Sequence, residues 1–148
     1  NIPYIKPMRS EKLAANGSGA VNGITVEHLA NAPAFPDVYP KIRTALSDKI
    51  WVIYNAAFDT RVIERNCLMH GLLPPVPFAI VCAMEKFAAI YGEWNTQRQS
   101  FTSKSLGFAR EWLNLQNEDV LHTALGDANT TLMIIEAIAG LSLEGLKP

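Results

Sequence analysis

The sequence predicts a layered α/β domain in which strands alternate with helices along the chain. Two runs rich in β-branched and aromatic residues, Ile50–Tyr54 and Phe78–Val81, are too short for helix cores and have the composition of buried strands. Each run is followed by apolar residues at the three- and four-residue spacing of a helix. This alternation favours helices packed on a sheet, and 148 residues suffice for one domain.

The first half of the chain predicts two helices, a strand and a third helix. A short helix can begin after Thr25, and a second helix tolerates Pro40 in its first turn. The strand Ile50–Tyr54 leads to a helix that stops near His70-Gly71. The predicted buried positions of the two longer helices are Val38, Ile42, Ala45, Leu46, Phe58, Val62, Ile63 and Cys67.

The second half predicts a strand, three helices and a loop. Prolines before Phe78 favour an extended approach to the strand Phe78–Val81. The polar segment Trp94–Thr102 is predicted to be a loop, and Ser103 can cap the helix that follows it. The positions that mark the three helices are Met84, Phe87, Ala88, Tyr91, Leu106, Ala109, Arg110, Leu113, Ala128, Thr131, Leu132, Ile135 and Ile138 or Ala139.

Composition restricts the class of protein. A net charge of −1 argues against a generally basic nucleic-acid coat, so any affinity for nucleic acid should be local to one cleft. Cys67 and Cys82 have no metal-ligand spacing and suit buried thiols in a reducing compartment. No apolar run approaches the ~18 residues of a membrane span. We therefore expect a cytoplasmic protein without a membrane anchor.

An acidic residue opens each of two predicted helices. Asp59 follows the strand Ile50–Tyr54, so it lies just past the carboxyl end of a strand, where open α/β sheets bind their ligands. Asp127 lies at the start of the last predicted helix. Helix N-termini at such an edge favour phosphate through their free N–H groups. The pair suits a metal-dependent phosphodiesterase.

His122 stands five residues before Asp127. Five residues along an α-helix turn about 500°, which is about 140° past a full circle, so the two side chains cannot share a face of one helix. His122 is therefore placed in the loop before the helix, with Thr123 as its N-cap. An imidazole titrates near neutral pH, so His122 suits a general base that deprotonates an attacking water.

Structural roles remain open for the same residues. Aspartate is common in first turns because it complements the helix dipole, so Asp59 alone favours a structural role. Asn55 can be a cap of the same helix, and Phe58 is predicted to be core. A single His-x4-Asp spacing also occurs by chance, so the catalytic interpretation depends on the combination of motifs.

Three segments in order resemble the DEDD exonucleases of the histidine-containing subtype, DEDDh, the type found in proofreading subunits. The matching segments are Asn55-x-x-Phe58-Asp59, His122-x4-Asp127 and Val21-Asn22-Gly23-Ile24-Thr25. The resemblance covers nearly the whole chain and implies a ribonuclease H-like fold, with a central mixed β-sheet flanked by helices. It implies one exonuclease domain over residues 1–148.

The first motif of that family, Asp-x-Glu on the opening strand, occurs nowhere in the sequence. Asn1–Pro7 resembles the second or third strand of the family. We therefore expect residues upstream of Asn1, carrying the opening strand and the Asp-x-Glu carboxylates. A sheet without its central strand would leave buried backbone groups unpaired, each costing roughly 1 to 3 kcal/mol.

The resemblance implies a 3′-to-5′ exonuclease that hydrolyses single-stranded DNA with two Mg²⁺ or Mn²⁺ ions. Asp59 and Asp127 would be metal ligands, and His122 would be the general base. The residues it implies for substrate binding are Gly23, Ile24, Thr25, Asn55 and Phe58. The implied partners are a DNA or RNA 3′ end and a DNA polymerase of which this chain would be a subunit.

Two alternatives stay open on the sequence. The same chemistry can act on RNA or short oligoribonucleotides, because contacts to the 2′-OH cannot be placed from one chain. A catalytically silent nucleic-acid-binding or adaptor domain could also have kept the fold without the metal site. That alternative predicts that the natural polypeptide lacks the upstream carboxylates.

Overall fold

The computed structural model describes Ile5 and residues 24–116 and 123–144. The chain divides into two compact units, one formed by Asn1–Lys49 and Ile63–Pro77 and the other by Ile50–Val62 and Phe78–Pro148. The prediction of a single exonuclease domain over residues 1–148 stays a prediction. Nowhere in the described ranges is a helix both long and apolar enough to cross a membrane.

The described elements alternate as the sequence predicts. In chain order they are α1 (Val26–Ala30), α2 (Phe35–Leu46), β1 (Ile50–Ile53), α3 (Ala56–Met69), β2 (Ala79–Cys82), α4 (Ala83–Tyr91), β3 (Trp94–Asn95), β4 (Ser100–Phe101), α5 (Leu106–Trp112) and α6 (Ala124–Glu144).

The first unit has its own core. Phe35 and Tyr39 of α2 pack with Cys67 of α3, whose side chain is fully buried. The Tyr39 hydroxyl donates to the carbonyl of Leu73, which ties the segment after α3 to this core. Pro40 is the sixth residue of α2, so its predicted place in the first turn is wrong. The helix begins earlier than predicted, because the Asp37 carboxylate accepts from the backbone N–H of Ala34 at 3.1 Å and caps it there.

The second unit contains a parallel strand pair. β1 and β2 pair in register from Ile50 opposite Ala79 to Ile53 opposite Cys82. The prediction that both strands are buried is wrong, because Ile50, Val52 and Ile80 are exposed and only Trp51 is buried. Parallel strands need a crossover, and α3 lies between these two strands in the chain. Because the pair is parallel, both carboxyl ends lie at one edge, and α3 and α4 begin just past them.

Helices α4, α5 and α6 enclose the core of the second unit. Phe87, Ala109 and Ile134 are fully buried there, and Ile138 joins them. The predicted burial of Thr131 and Ile138 is confirmed, but that of Ala128 and Leu132 is wrong, because both side chains are exposed. Helix α6 is apolar around most of its circumference, so periodicity in its sequence does not select one face.

A small hairpin replaces the predicted loop between α4 and α5. β3 and β4 are antiparallel, with Trp94 opposite Phe101 and Asn95 opposite Ser100. The Asn95 side-chain oxygen accepts from the backbone N–H groups of Gln97 at 3.0 Å and Arg98 at 2.9 Å, which fixes the turn. Strands of two residues are too short to give an alternating pattern in the sequence.

Helix α5 is capped by a different serine from the one predicted. Ser105 is its N-cap and accepts from the Phe108 backbone N–H at 3.2 Å, so the prediction of Ser103 is wrong. Both serines precede the same apolar run in the sequence. Ser105 is the cap because its side chain accepts from the backbone N–H three residues later, at Phe108.

Candidate active site

Asp59 is positioned by a sharp turn between β1 and α3. Asn55 has a φ of +65°, a left-handed conformation that asparagine tolerates better than most residues. Its carbonyl accepts from the Phe58 backbone N–H at 3.0 Å, which closes the first turn of the helix. Asp59 is the fourth residue of α3, so its carboxylate lies in the first turn, close to the carboxyl end of β1.

Asp127 is positioned by a capped helix start. The Thr123 hydroxyl accepts from the Gly126 backbone N–H at 3.1 Å, and the Thr123 carbonyl accepts from the Asp127 backbone N–H at 2.9 Å. The prediction of Thr123 as the cap is therefore confirmed. One turn later, the Thr131 hydroxyl donates to the Asp127 carbonyl at 2.7 Å. Asp127 is thus the fourth residue of a well-anchored helix.

The structure brings Asp59 and Asp127 to one cavity of about 420 Å³ in the second unit, which we call the Asp59–Asp127 cavity. Its walls come from the end of β1 and the starts of α3, α5 and α6. The lining residues are Val52, Ile53, Tyr54, Asp59, Leu106, Ala124, Asp127, Ala128 and Thr131. Two carboxylates that are 68 positions apart in the chain therefore face a single, mostly apolar space.

The surroundings of Asp59 disfavour its negative charge. Burial raises the pKa of this carboxyl above its ordinary value, and the residue's own backbone N–H offsets part of that rise. A carboxylate that water solvates poorly gains more than an exposed one from a nearby cation. Asp59 thus has the electrostatic environment expected of a cation ligand.

The charged donors of the cavity fit a hard divalent cation. Within residues 24–116 and 123–144, no group of three or more His, Cys, Asp or Glu side chains is arranged to hold a metal ion. The Asp59–Asp127 cavity offers two carboxylates and no sulfur or imidazole among its lining residues. Oxygen ligands of this kind suit Mg²⁺ or Mn²⁺ rather than zinc.

Tyr54 is a cavity residue that the sequence reasoning assigned only to a strand. Its hydroxyl lies 2.9 Å from the Lys104 carbonyl and 3.0 Å from the Ser105 carbonyl, so one O–H is shared between the two acceptors. It therefore holds the start of α5 against the end of β1. Its position as the last residue of an apolar run, at a strand's carboxyl end, was the signal available in the sequence.

Tyr54→Phe is expected to lower the free energy of unfolding by about 1 kcal/mol, because two carbonyls lose their shared donor. Urea unfolding measures this change, and a variant as stable as the wild type would contradict it.

The titration of the Tyr54 phenol gives a second readout. Burial, followed by the Cys82 thiol, raises the pKa of Tyr54 to about 12. The fold favours the neutral phenol, so this contribution to stability is complete below the ordinary value of about 10 and is lost as the pH rises through about 12. The difference in phenolate absorbance between wild type and Tyr54→Phe should titrate near pH 12; a midpoint near 10 would contradict the burial.

The other predicted site residues have different outcomes. His122, the predicted general base, and Gly23, predicted to bind substrate, lie outside the described residues. Ile24 is half-buried and Thr25 is exposed at the start of α1, where the Thr25 backbone N–H donates to His28 Nδ1 at 3.2 Å. Both belong to the first unit, and their role in binding stays a prediction.

Phe58 and Asn55 lie at the surface beside Asp59 in the chain. Phe58 is 61% exposed, so the prediction that it is a core residue is wrong. Val62, one turn later, is also exposed, and the buried side of α3 is marked instead by Ala56 and Cys67. Exposure leaves Phe58 and Asn55 accessible to a substrate, but neither lines the Asp59–Asp127 cavity.

A family model described as exonuclease, RNase T, matches residues 3–135 of this chain. The match covers most of the sequence and both acids of the Asp59–Asp127 cavity. The chain belongs to this exonuclease family, a DEDD family whose domain is ribonuclease H-like. The resemblance and the fold class predicted from the sequence are thus confirmed.

Individual relatives agree with the family. An exonuclease of Escherichia phage 186 is 30% identical over 125 residues, which are 81% of this chain and 64% of the phage protein. PolC-type DNA polymerases III of Streptococcus sanguinis and Streptococcus pneumoniae are 27% and 26% identical over 99 residues, which are 67% of this chain. The matched part is 7% of each polymerase. The chain thus spans less than two thirds of the length of these relatives.

Proposed function

We propose that this chain is a divalent-metal-dependent exonuclease that removes nucleotides from the 3′ end of single-stranded DNA. The observation that carries the proposal is the Asp59–Asp127 cavity, where two helix starts aim carboxylates into one space. Membership of the exonuclease family supports a nuclease. The polarity, the substrate and the roles of individual residues are our proposal.

Asp59 and Asp127 would hold the two Mg²⁺ or Mn²⁺ ions. When bound, such ions neutralise phosphate charge and lower the pKa of water. Asp127 lies in the first turn of α6, after the Thr123 cap, and Asp59 lies in the first turn of α3, so the backbone of each acid is fixed by its helix. His122, which precedes the Thr123 cap in the sequence, would take the proton from the attacking water.

The names of the relatives favour DNA over RNA. The streptococcal relatives are DNA polymerases of type III, and the matched segment is a small part of each. We therefore propose DNA as the substrate and a DNA polymerase as a partner of this chain. RNA or short oligoribonucleotides remain the second candidate, since the same cavity chemistry would act on either backbone.

Digestion of end-labelled strands tests the proposal. The full-length protein is incubated with a 5′-labelled single-stranded DNA, or with the matched RNA, in Mg²⁺, in Mn²⁺ or in EDTA. We expect a ladder of 5′-labelled fragments that shorten by one nucleotide at a time, faster for DNA and absent in EDTA. A phosphorothioate at the 3′-terminal linkage should block it.

Other outcomes of the same experiment separate the alternatives. Faster loss of the RNA would select the ribonuclease candidate. Release of the labelled 5′ nucleotide as the first product would contradict the proposed polarity. Binding of the strand without cleavage in either metal would contradict the enzyme and favour the silent adaptor.

A further inference from the structure

A second cavity of the same unit, of about 370 Å³, lies beside the hairpin β3–β4 and is not used by the proposed chemistry. We call it the Trp94 cavity. The lining residues that matter are Met84, Glu85, Trp94, Ser100, Phe101 and Ser103. A space of this size is ample for one flat heterocycle, since drug-sized ligands occupy cavities of roughly 300 to 1,000 Å³.

Two aromatic rings line the Trp94 cavity and remain open to solvent. Trp94 and Phe101 are opposite each other in the hairpin, with ring centroids 5.1 Å apart and planes at 83°. They are 50% and 41% exposed. Because the two rings meet edge to face, they do not stack on each other. A third flat ring can therefore stack on the face of one of them.

The polar groups of the cavity match the edge of a nucleobase. The hydroxyls of Ser100 and Ser103 can donate or accept, and the Glu85 carboxylate can accept from an exocyclic amino group. A carboxylate in the wall disfavours a phosphate at this place, whereas a base carries no charge. Arg98 lies in the turn of the same hairpin and carries a positive charge that could contact a backbone phosphate.

The Trp94 cavity and the Asp59–Asp127 cavity are linked by one short segment. Ser103 lines the former and Leu106 lines the latter. Ser103 and Leu106 are three residues apart in the chain, so their Cα atoms lie at most about 11 Å from each other. The segment between them is fixed by the Tyr54 hydroxyl, which is shared between the Lys104 and Ser105 carbonyls.

From this arrangement we propose that the Trp94 cavity is a subsite that binds an unstacked nucleobase of the single-stranded substrate, at an interior position upstream of the 3′-terminal nucleotide. The inference rests on the proposed function, because it takes the 3′ end to lie at Asp59 and Asp127. Stacking tolerates every base, and the Glu85 carboxylate gives a preference for bases that carry an amino group. Such a subsite makes the enzyme bind strands that reach the Trp94 cavity more tightly than shorter strands.

A series of fluorescent DNA strands, each with one abasic residue at a different position, tests the subsite without altering the protein. We call it the abasic series. Anisotropy of a 12-nucleotide oligo-dC with a phosphorothioate at the 3′-terminal linkage is measured with the full-length chain in Mg²⁺. The cations that would place the 3′ end are then present, and cleavage is blocked. We expect affinity to fall about tenfold when the abasic residue is at one particular interior position and to change little at the others. Equal affinity for all interior positions would overturn the proposal.

Substitutions then assign the effect to the ring. Trp94→Leu should lose about tenfold in affinity and lose its sensitivity to the abasic position, and Trp94→Phe should retain most of both. Trp112→Leu is the matched control, since Trp112 is similarly exposed, at 47%, and lines neither cavity. A Trp94→Leu variant that binds and discriminates like the wild type would overturn the proposal.

Steady-state kinetics distinguish a failure of the subsite proposal from a failure of the proposed exonuclease function. The p-nitrophenyl ester of thymidine 5′-monophosphate is too short to reach the Trp94 cavity. Trp94→Leu should hydrolyse it at the wild-type rate while its KM for the 12-nucleotide strand rises about tenfold. A wild type that cleaves neither substrate would contradict the proposed exonuclease activity. The abasic series would still show whether the Trp94 cavity binds a base.

Discussion

Asp127→Asn is expected to reduce the exonuclease rate by more than about 100-fold, beyond the 10- to 100-fold that is typical of groups that only orient a metal ligand. Asparagine has nearly the same shape but lacks the charge, so it would hold a divalent cation weakly. Asp59→Asn should behave alike, because both carboxylates face the Asp59–Asp127 cavity. Initial rates on a labelled single strand over a range of Mn²⁺ concentrations measure the loss.

The fold should survive these two substitutions. The Asp127 backbone N–H and carbonyl keep their bonds to Thr123 and Thr131 in the variant. Burial raises the pKa of Asp59, so a neutral amide is no harder to bury than the carboxylate, and Asp59→Asn should be at least as stable to urea. Asp48→Asn is the matched control, since Asp48 has a φ of +58° that asparagine also accepts, and it belongs to the first unit. A fully active Asp127→Asn would contradict the proposed metal site.

His122→Ala is expected to slow the reaction by about 100- to 10,000-fold, the range of a positioned general base. A base must be neutral to accept the proton, so the wild-type rate should rise with pH through the imidazole pKa, ordinarily about 6.5. That rise should disappear in the variant, while Mn²⁺ binding persists. Rates from pH 5 to 9, with a saturating metal concentration, measure both effects.

A second histidine provides the control for this prediction. His28 accepts from the Thr25 backbone N–H at the start of α1, and glutamine can take over that capping role. His28→Gln should therefore leave both the rate and its pH profile unchanged. Equal activity of His122→Ala and the wild type across the pH range would remove His122 from the mechanism.

The acids of the site were predictable because their positions follow from local rules. A β-rich apolar run that ends before Asn55 marks the carboxyl end of a strand, and Thr123 is a helix cap that its sequence position alone predicts. The structure brings Asp59 and Asp127 to one cavity, as their places at two helix starts led us to expect. Their role as metal ligands stays a prediction.

The parts that the sequence predicted wrongly depend on tertiary contacts. Leu132 is as apolar as Ile134, and only packing against α4 and α5 decides which of them is buried. Phe58 has the spacing of a core residue, yet it is exposed, because helical spacing marks a face without showing what covers it. The Tyr54 hydroxyl donates to carbonyls 50 and 51 residues later in the chain, and no local sequence pattern reveals these contacts.

The most direct test of the central claim, that Asp59 and Asp127 together hold a divalent cation, is a Mn²⁺ binding isotherm. The full-length wild type, Asp48→Asn and the double variant Asp59→Asn/Asp127→Asn are titrated with Mn²⁺, and free Mn²⁺ is followed by its electron paramagnetic resonance signal. We expect saturable binding to the first two proteins and at least about tenfold weaker binding to the double variant. The same isotherm for all three would contradict the claim.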